Sequence, residues 1–503
     1  MSKKVRNLII GAVVLLLLVA ALVVLLLNPK ETVEEESSES YTASTTVVTL
    51  IESDADSINK VVVTNPAGSY QIDRTKKATD DEDAVYGIAE LADFTENTSE
   101  YDSLLSQFCN FSASRLIEEN APDIAKYGLK EPSHTITLYY DDGTRHEIRV
   151  GNQLPTGSGY YMMLDDDKNV YGMAQAKIDR LNYTALDFMD KNVIEPWSSY
   201  TNEDGTEVTA AVIDYLQVEG GTLEDVFRIV PLTSEEASST SSSYGSSYKI
   251  VEPFEADMKY KSDESGNDQH LAFTTGLQQL QADSVAALHP TEEDFEAYGL
   301  TEPYCTISFS RDGTEHVWYV GDSANTSDGS AAHYLYSEDQ PVIYLVADSN
   351  LPWISINLED MYSNLMLLPF IDDVEKIDLM VYDKTYTIEV DAEKDENDKT
   401  ILTPHLDGQE MQVDAYRKMY QYLLAAPAEG INKSEEQGTL VASFTYYYRK
   451  GGSDTVELFD LGNRTCILSI NGNRQWTTRI SYVQHLETNI EKFENGETPS
   501  LDY

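Results

Sequence analysis

The sequence predicts an α+β protein: an N-terminal transmembrane helix followed by tandem repeats of a mainly antiparallel β module, each with one or two short helices. Three observations carry that reading. An uncharged apolar run fills residues 8–27, a block beginning Tyr-Gly-Leu occurs twice, and alternating apolar and polar segments separated by Asp-Gly and Gly-Asn turns recur along the rest of the chain.

The run at 8–27 has the length needed to cross about 30 Å of hydrocarbon as a helix. A cleaved signal peptide would have a shorter apolar core of about 7–15 residues and a small-x-small site; here Leu25, Leu26, Leu27, Asn28, Pro29 and Lys30 stand instead, so a retained anchor is expected. Lys3, Lys4 and Arg6 precede the run, and Glu31, Glu34, Glu35 and Glu36 follow it. The basic end is expected in the cytoplasm and the body outside it. Residues 1–30 are thus a cytoplasmic tip and anchor, and 31–57, acidic and rich in Ser and Thr, a stalk.

The 503 residues hold 87 acidic and 35 basic side chains, a formal net charge of −52. Such a body is repelled by phosphate backbones, which excludes a nucleic-acid partner. Three widely spaced cysteines, Cys109, Cys305 and Cys466, make no disulfide framework or metal pattern and are expected to be free buried thiols.

Tyr127-Gly128-Leu129-Lys130-Glu131-Pro132 returns as Tyr298-Gly299-Leu300-Thr301-Glu302-Pro303. Thr135-Ile136, Asp142-Gly143-Thr144 and Val150-Gly151 return as Thr306-Ile307, Asp312-Gly313-Thr314 and Val320-Gly321, in order and with one gap. An internal duplication follows. Asn120, with Pro122 in the first turn, and Thr291 are expected to cap short helices that Gly128 and Gly299 stop. Strands should then flank Asp142-Gly143, and a second hairpin should join 160–164 to 169–173 through Asp165-Asp166-Asp167-Lys168, matched by 333–336 with 342–346. Upstream, each copy should carry a first hairpin (60–63 with 70–72; 215–218 with 227–229) and one helix, through Leu104, Leu105, Phe108 and Cys109 in the first and Leu277, Leu280 and Val285 in the second.

A worn third copy begins at Val374. Its first hairpin uses 376–379 and 386–388, its helix 416–424, and its later strands 444–448, 456–459, 465–470 and 475–478; the Tyr-Gly-Leu block is missing. The modules are therefore placed at 58–195, 206–364 (with a Ser-rich insertion, 233–247) and 374–495.

These residues resemble the bacterial family called domain of unknown function 4340, most strongly over 112–151, which includes Ala113-Ser114-Arg115-Leu116-Ile117-Glu118-Glu119-Asn120, and more weakly over about 58–364. The third copy departs most. The resemblance implies an anchored envelope protein of tandem modules, encoded beside an ABC-2 type permease, its ATPase and a gliding-type auxiliary subunit; it supplies no catalytic residues.

No phosphate-binding Gly-x4-Gly-Lys-Ser/Thr loop, Gly-x-Ser-x-Gly elbow or His-Glu-x-x-His pair occurs. No catalytic, cofactor-binding or metal residue is assigned. Four features stay open between a functional and a structural reading. His146 and His316, at equivalent strand positions, are ligand contacts or half-exposed strand residues; Asp165-Asp166-Asp167 and the acidic run 391–398 are calcium loops or solvated turns. Tyr139-Tyr140, Tyr160-Tyr161 and Tyr446-Tyr447-Tyr448 are a binding surface or ordinary strand tyrosines. The expected function is a non-enzymatic, membrane-anchored, extracytoplasmic accessory component of an ABC-2 type transport complex, partnered by the permease and the auxiliary subunit and held to the membrane through residues 8–27. The alternative is an independent cell-wall or surface binding protein; a hydrolase using paired carboxylates is a third.

Overall fold

The computed structural model describes residues 47–79, 82–201, 205, 207–237, 247–258, 269–362 and 367–502. The apolar run at 8–27, the stalk residues 31–46 and residues 238–246 of the Ser-rich insertion lie outside them. Among the described residues no helix is long and apolar enough to cross a membrane.

The first repeat contributes β1 (Ile58–Asn65), β2 (Gly68–Lys76), β3 (Val85–Gly87), α1 (Thr98–Cys109), β4 (Arg115–Glu118), β5 (His134–Tyr140), β6 (Arg145–Gln153), β7 (Gly159–Leu164) and β8 (Val170–Ala174). The second contributes β9 (Ile213–Gly220), β10 (Phe227–Pro231), β11 (Tyr248–Glu252), α2 (Gln269–Gln278), β12 (Ser284–Leu288), α3 (Glu292–Ala297), β13 (Cys305–Arg311), β14 (Thr314–Asn325), β15 (Ala331–Ser337) and β16 (Val342–Ala347). The third contributes β17 (Val374–Val381), β18 (Lys384–Lys394), β19 (Thr400–Leu406), α4 (Val413–Leu424), β20 (Gly430–Ile431), β21 (Thr439–Tyr448), β22 (Ser453–Asp460), β23 (Thr465–Ile470), β24 (Asn473–Arg479) and α5 (Ile480–Glu494).

The chain divides into two compact units. One holds the described residues up to Pro66 together with Leu105–Asn182, the other Ala67–Leu104 together with Tyr183–Tyr503. In the first unit six strands pair antiparallel in the order β1-β5-β6-β7-β8-β4. Their inward positions, among them Val61, Val63, Ile136, Leu138, Ile148 and Val150, are fully buried, as period-two alternation requires of a sheet with one covered face.

The second unit contains the β2–β3 pair and the sheets of the other two repeats. Their strands run β9-β13-β14-β15-β16-β12 and β17-β21-β22-β23-β24-β20, the order seen in the first unit, and β10-β11 and β18-β19 extend them on the other side. A mostly antiparallel fold of repeated modules is thus present. In each repeat the fourth position of the chain order lands at the far edge, beside the last strand, so the sheet closes on a long-range pairing rather than on a hairpin.

Register identifies equivalent residues without reference to sequence. Ile136 faces Val63 and Ile148; Ile307 faces Val218 and Trp318; Phe444 faces Leu379 and Val456. The single gap between the first two copies lies at the Asp-Gly turn. Arg311 pairs with Thr314 across a two-residue turn, Asp312-Gly313, whereas in the first copy Gly143 N–H donates to Tyr140 O and Tyr140 N–H to Thr144 O around a turn one residue longer. The third copy repeats the longer form, with Gly451 N–H to Tyr448 O and Tyr448 N–H to Gly452 O.

One expected cap and one expected helix need correction. Asn120 does not cap; it has φ 49°, and Asp123 Oδ1 accepts from Ala125 N at 3.0 Å to open a 3-10 turn, Ile124–Tyr127, with Pro122 outside it. The carboxylate one residue past the proline is the better-placed acceptor. In the second copy Thr291 does cap, exchanging bonds with Asp294. The helix expected through Leu277, Leu280 and Val285 ends at Gln278: Leu280 accepts from Val193 N, and Val285 is in β12. Those three apolar residues satisfy a loose helical spacing and a strand edge equally, and the edge pairing with residues 191–197 decides it.

In the second unit the last two repeats share an aromatic joint. Trp476 of β24 packs against Phe254 and Tyr362, with ring centroids 4.8 and 4.6 Å away, and all three side chains are buried. The third repeat also adds α5, whose Tyr482, Val483, Leu486, Ile490 and Phe493 are buried at helical spacing, and Tyr482 stacks on Tyr422 of α4 at 5.0 Å.

Candidate functional site

The residues that recur at equivalent positions form two constellations. The first unites Tyr-Gly-Leu with the Val-Gly that follows about twenty positions later. Gly128 and Gly299 have φ 77° and 70°, the left-handed conformation that turns the chain back onto the sheet. Gly151 and Gly321 lie directly beneath the carbonyl oxygens of Tyr127 and Tyr298, where a Cβ would overlap the backbone. In the second copy the contact is also a bond, Asp322 N–H to Tyr298 O at 2.9 Å. Leu129 and Leu300 are buried, and the tyrosine rings rest on Tyr161 and Tyr334, 4.7 and 4.5 Å between centroids. Tyr127 O–H donates to Glu118, which also pairs with Lys126 at 2.7 Å; the Lys126 and Tyr127 bonds hold its carboxyl below the ordinary range. The motif is a packing knot.

The third repeat shows the converse. Leu458 faces Ala442 as Val150 faces His134 and Val320 faces Cys305, so Phe459 stands where the other copies have glycine. Without a Tyr-Gly-Leu crossover to approach the strand, a large side chain fits there, and Arg474 lies over its ring at 3.6 Å.

The second constellation is a clamp between the start of the third pairing strand and the following turn. His146 Nδ1 lies 3.0 Å from Asp165 Oδ2, and Asp165 Oδ1 accepts from Glu147 N at 2.7 Å. His316 Nδ1 lies 3.0 and 2.9 Å from the two oxygens of Asp339, stacked on Phe309 at 4.9 Å. In the third repeat Asp454 faces Tyr446 as His146 faces Leu138, and Asn471 takes the place of Asp165: its Nδ2 donates to Asp454 Oδ1 at 2.8 Å and its Oδ1 accepts from Thr455 N at 2.8 Å. The histidines therefore hold a turn. Their partners were missed in the sequence: Asp165 and Asp339 both sit in the second hairpin's turn, but by register Glu338 is the equivalent of Asp165 and Asp339 lies one residue further on.

The acidic candidates have partners of their own. Asp165 is held by His146, Asp166 pairs with Arg149 at 3.3 Å, and Asp167 accepts from Asn169 N at 2.9 Å. In the 391–398 run Asp395 accepts from Asn397 N and Lys399 N, closing a turn, and Asp391 lies 3.7 Å from His405. Among the described residues no group of three or more His, Cys, Asp or Glu side chains is gathered as a metal would need. The tyrosines divide: Tyr446 is fully buried, Tyr448 O–H donates to Asp454, and Tyr139 and Tyr447 lie on the outer face beneath Lys60 and Lys376 at 4.2 and 4.1 Å. The three thiols are free and buried, and burial pushes Cys305 and Cys466 up to about 12.

A polar cleft of about 190 Å³ opens in the second unit, lined by Thr95, 189–190, 192–195, Asp339 and Gln340. Asp190 is half-buried, bonded to Asn192 N at 3.1 Å, and Glu195 and Asp339 are exposed. Its carboxylates remain in contact with water, an arrangement suited to holding the 189–195 segment through Gln340 Nε2 and Asn192 O, 3.2 Å apart.

The family described as Domain of unknown function (DUF4340) matches residues 87–224 and 257–433, well over half of the chain. The chain belongs to this family. The two matched segments include both Tyr-Gly-Leu knots and both His–Asp clamps, and the second runs on into the third repeat through α4 and β20. No curated protein and no solved structure matches the chain.

Proposed function

We propose that this DUF4340 protein is a non-enzymatic, membrane-anchored, extracytoplasmic accessory component of an ABC-2 type transport complex. Its family membership carries the reading, since the family resemblance implies genes for an ABC-2 permease, its ATPase and a gliding-type auxiliary subunit nearby. The sequence adds an uncharged 8–27 run of membrane-spanning length with a basic flank on one side and an acidic flank on the other. It contains no nucleotide-binding loop, so the energy of transport comes from another subunit. The recurring residues serve knots and clamps, which leaves module surfaces as the means of association.

The run at 8–27 offers no polar side chain to another helix, and only Gly11, Ala12, Ala20 and Ala21 permit close approach. The modules are therefore the larger source of binding. Exchange of 8–27 for an unrelated apolar helix should leave the permease bound, and removal of the modules should release it. Loss of the permease on exchanging the helix alone contradicts this division. An independent surface binding protein, the alternative, would retain cell-wall material and no permease.

A further inference from the structure

Asn-Gly occurs twice in the sequence, at Asn471-Gly472 and Asn495-Gly496, and the structure treats the two differently. In this dipeptide the glycine nitrogen can attack Cγ of the asparagine. The N–Cγ bond forms, the Cγ–Nδ2 bond breaks, and Nδ2 leaves as ammonia with the amide proton; one water then opens the cyclic imide to aspartate or isoaspartate.

The asparagine amide is bonded at both places, to Asp454 at 471 and to Glu491 at 495, but at Asn495 the attacking nitrogen is engaged as well. Gly496 N–H donates to Phe493 O at 3.0 Å, and Asn495 Nδ2 donates to Glu491 O at 2.8 Å, closing the end of α5. At Asn471 the pair forms the exposed hairpin turn between β23 and β24, with φ 50° and 84°, and Gly472 N–H makes no hydrogen bond to a described residue. Thr455 N–H points at Asn471 Oδ1 from 2.8 Å, the oxygen on which attack at Cγ builds negative charge. A fixed donor at that atom favours the reaction.

The position is also one where the product matters. Asn471 is the register equivalent of Asp165, whose carboxylate faces His146; in the third repeat a carboxylate would face Asp454, which now accepts from Asn471 Nδ2 at 2.8 Å and from Tyr448 O–H. Two carboxylates at that separation repel. We propose that Asn471 is a site of spontaneous deamidation and that its conversion opens the clamp of the third repeat.

The full-length protein, kept native in mildly alkaline buffer, is sampled over time by peptide mass mapping. Aspartate and isoaspartate should accumulate at 471 severalfold faster than at 495; equal rates, or conversion at 495 alone, overturn the assignment of the site. Thermal unfolding tests the consequence. Asn471→Asp should lower the midpoint of the third repeat by about 4 °C or more, and adding Asp454→His, which recreates the His–Asp pair of the first repeat, should recover most of the loss. A single variant as stable as the unaltered protein, or a double variant no better than the single one, overturns the clamp-opening step.

Discussion

Replacing Gly321 by alanine tests the packing knot, because the perturbation is purely steric. Gly321 does not need a left-handed backbone, so alanine is allowed there conformationally. Its Cβ would nevertheless meet the Tyr298 carbonyl oxygen well inside 3.0 Å, with Leu300 Cγ and Gly299 C at 3.1 and 3.2 Å. Two of these atoms are backbone, and they cannot rotate away. Relief requires the crossover to lift off β14, which breaks the 2.9 Å bond from Asp322 N–H to Tyr298 O and loosens Leu300 and the Tyr298–Tyr334 stack. Overpacking of this kind costs about 1–3 kcal/mol and a lost hydrogen bond about 1 more. For a module of this size the total corresponds to a fall in the unfolding midpoint of roughly 5–15 °C. Differential scanning calorimetry of the full-length protein reads it, with limited proteolysis to locate the opened segment. Unchanged stability, or cleavage elsewhere than near residues 289–304, would refute the idea that the repeated glycines exist to admit the tyrosine carbonyl.

Trp476→Ala should destabilise by about 3–5 kcal/mol, as truncation of a buried aromatic does, and hydrogen exchange should speed up around Phe254 and Tyr362 as well as in the third repeat; a response confined to one repeat would show that the joint does not couple them. Glu236 and Asp328 are held down at about 2, the first mainly by Lys249 and the second mainly by the Thr326 hydroxyl, and the Thr291 backbone lowers Asp294. Folded values below the unfolded ones of about 4 mean stability that is present above pH 4 and lost as pH falls towards 2, so urea midpoints should decline over that window; a flat profile there contradicts the assignment. Cys305 and Cys466, pushed up to about 12 by burial, should resist a thiol reagent at neutral pH until the protein is unfolded, and rapid native labelling would place them at the surface.

Much of the fold was legible because hairpins are local. Asp-Gly, Gly-Asn and alternating runs lie within a few residues of one another, and each of the expected strand pairs after the helices is present, including the four late strands of the worn third copy. The edge strands were not legible. Arg115–Glu118 carries three charged or exposed positions and finds its partner at Tyr171, more than fifty residues on, and Val285, within the strand 284–288, fits the loose helical spacing of Leu277 and Leu280. Nothing local specifies such a pairing. The helix α5 is different, since Tyr482, Val483, Leu486, Ile490 and Phe493 carry a plain helical period that went unread. At the recurring sites the residues were visible but their meaning was not. His146 and His316 were singled out correctly as equivalent, yet the role of each depends on an aspartate brought close by a turn. The reason for Gly151 and Gly321 lies in a carbonyl that only the folded crossover delivers.

Association with the permease is tested by affinity capture of the full-length protein from detergent-extracted membranes, with quantitative mass spectrometry of what is retained. The predicted result is a multi-spanning ABC-2 type permease recovered in an amount comparable to the protein itself, with its ATPase and auxiliary subunit. Repeated capture of the intact protein with no permease would contradict a role in an ABC-2 type transport complex.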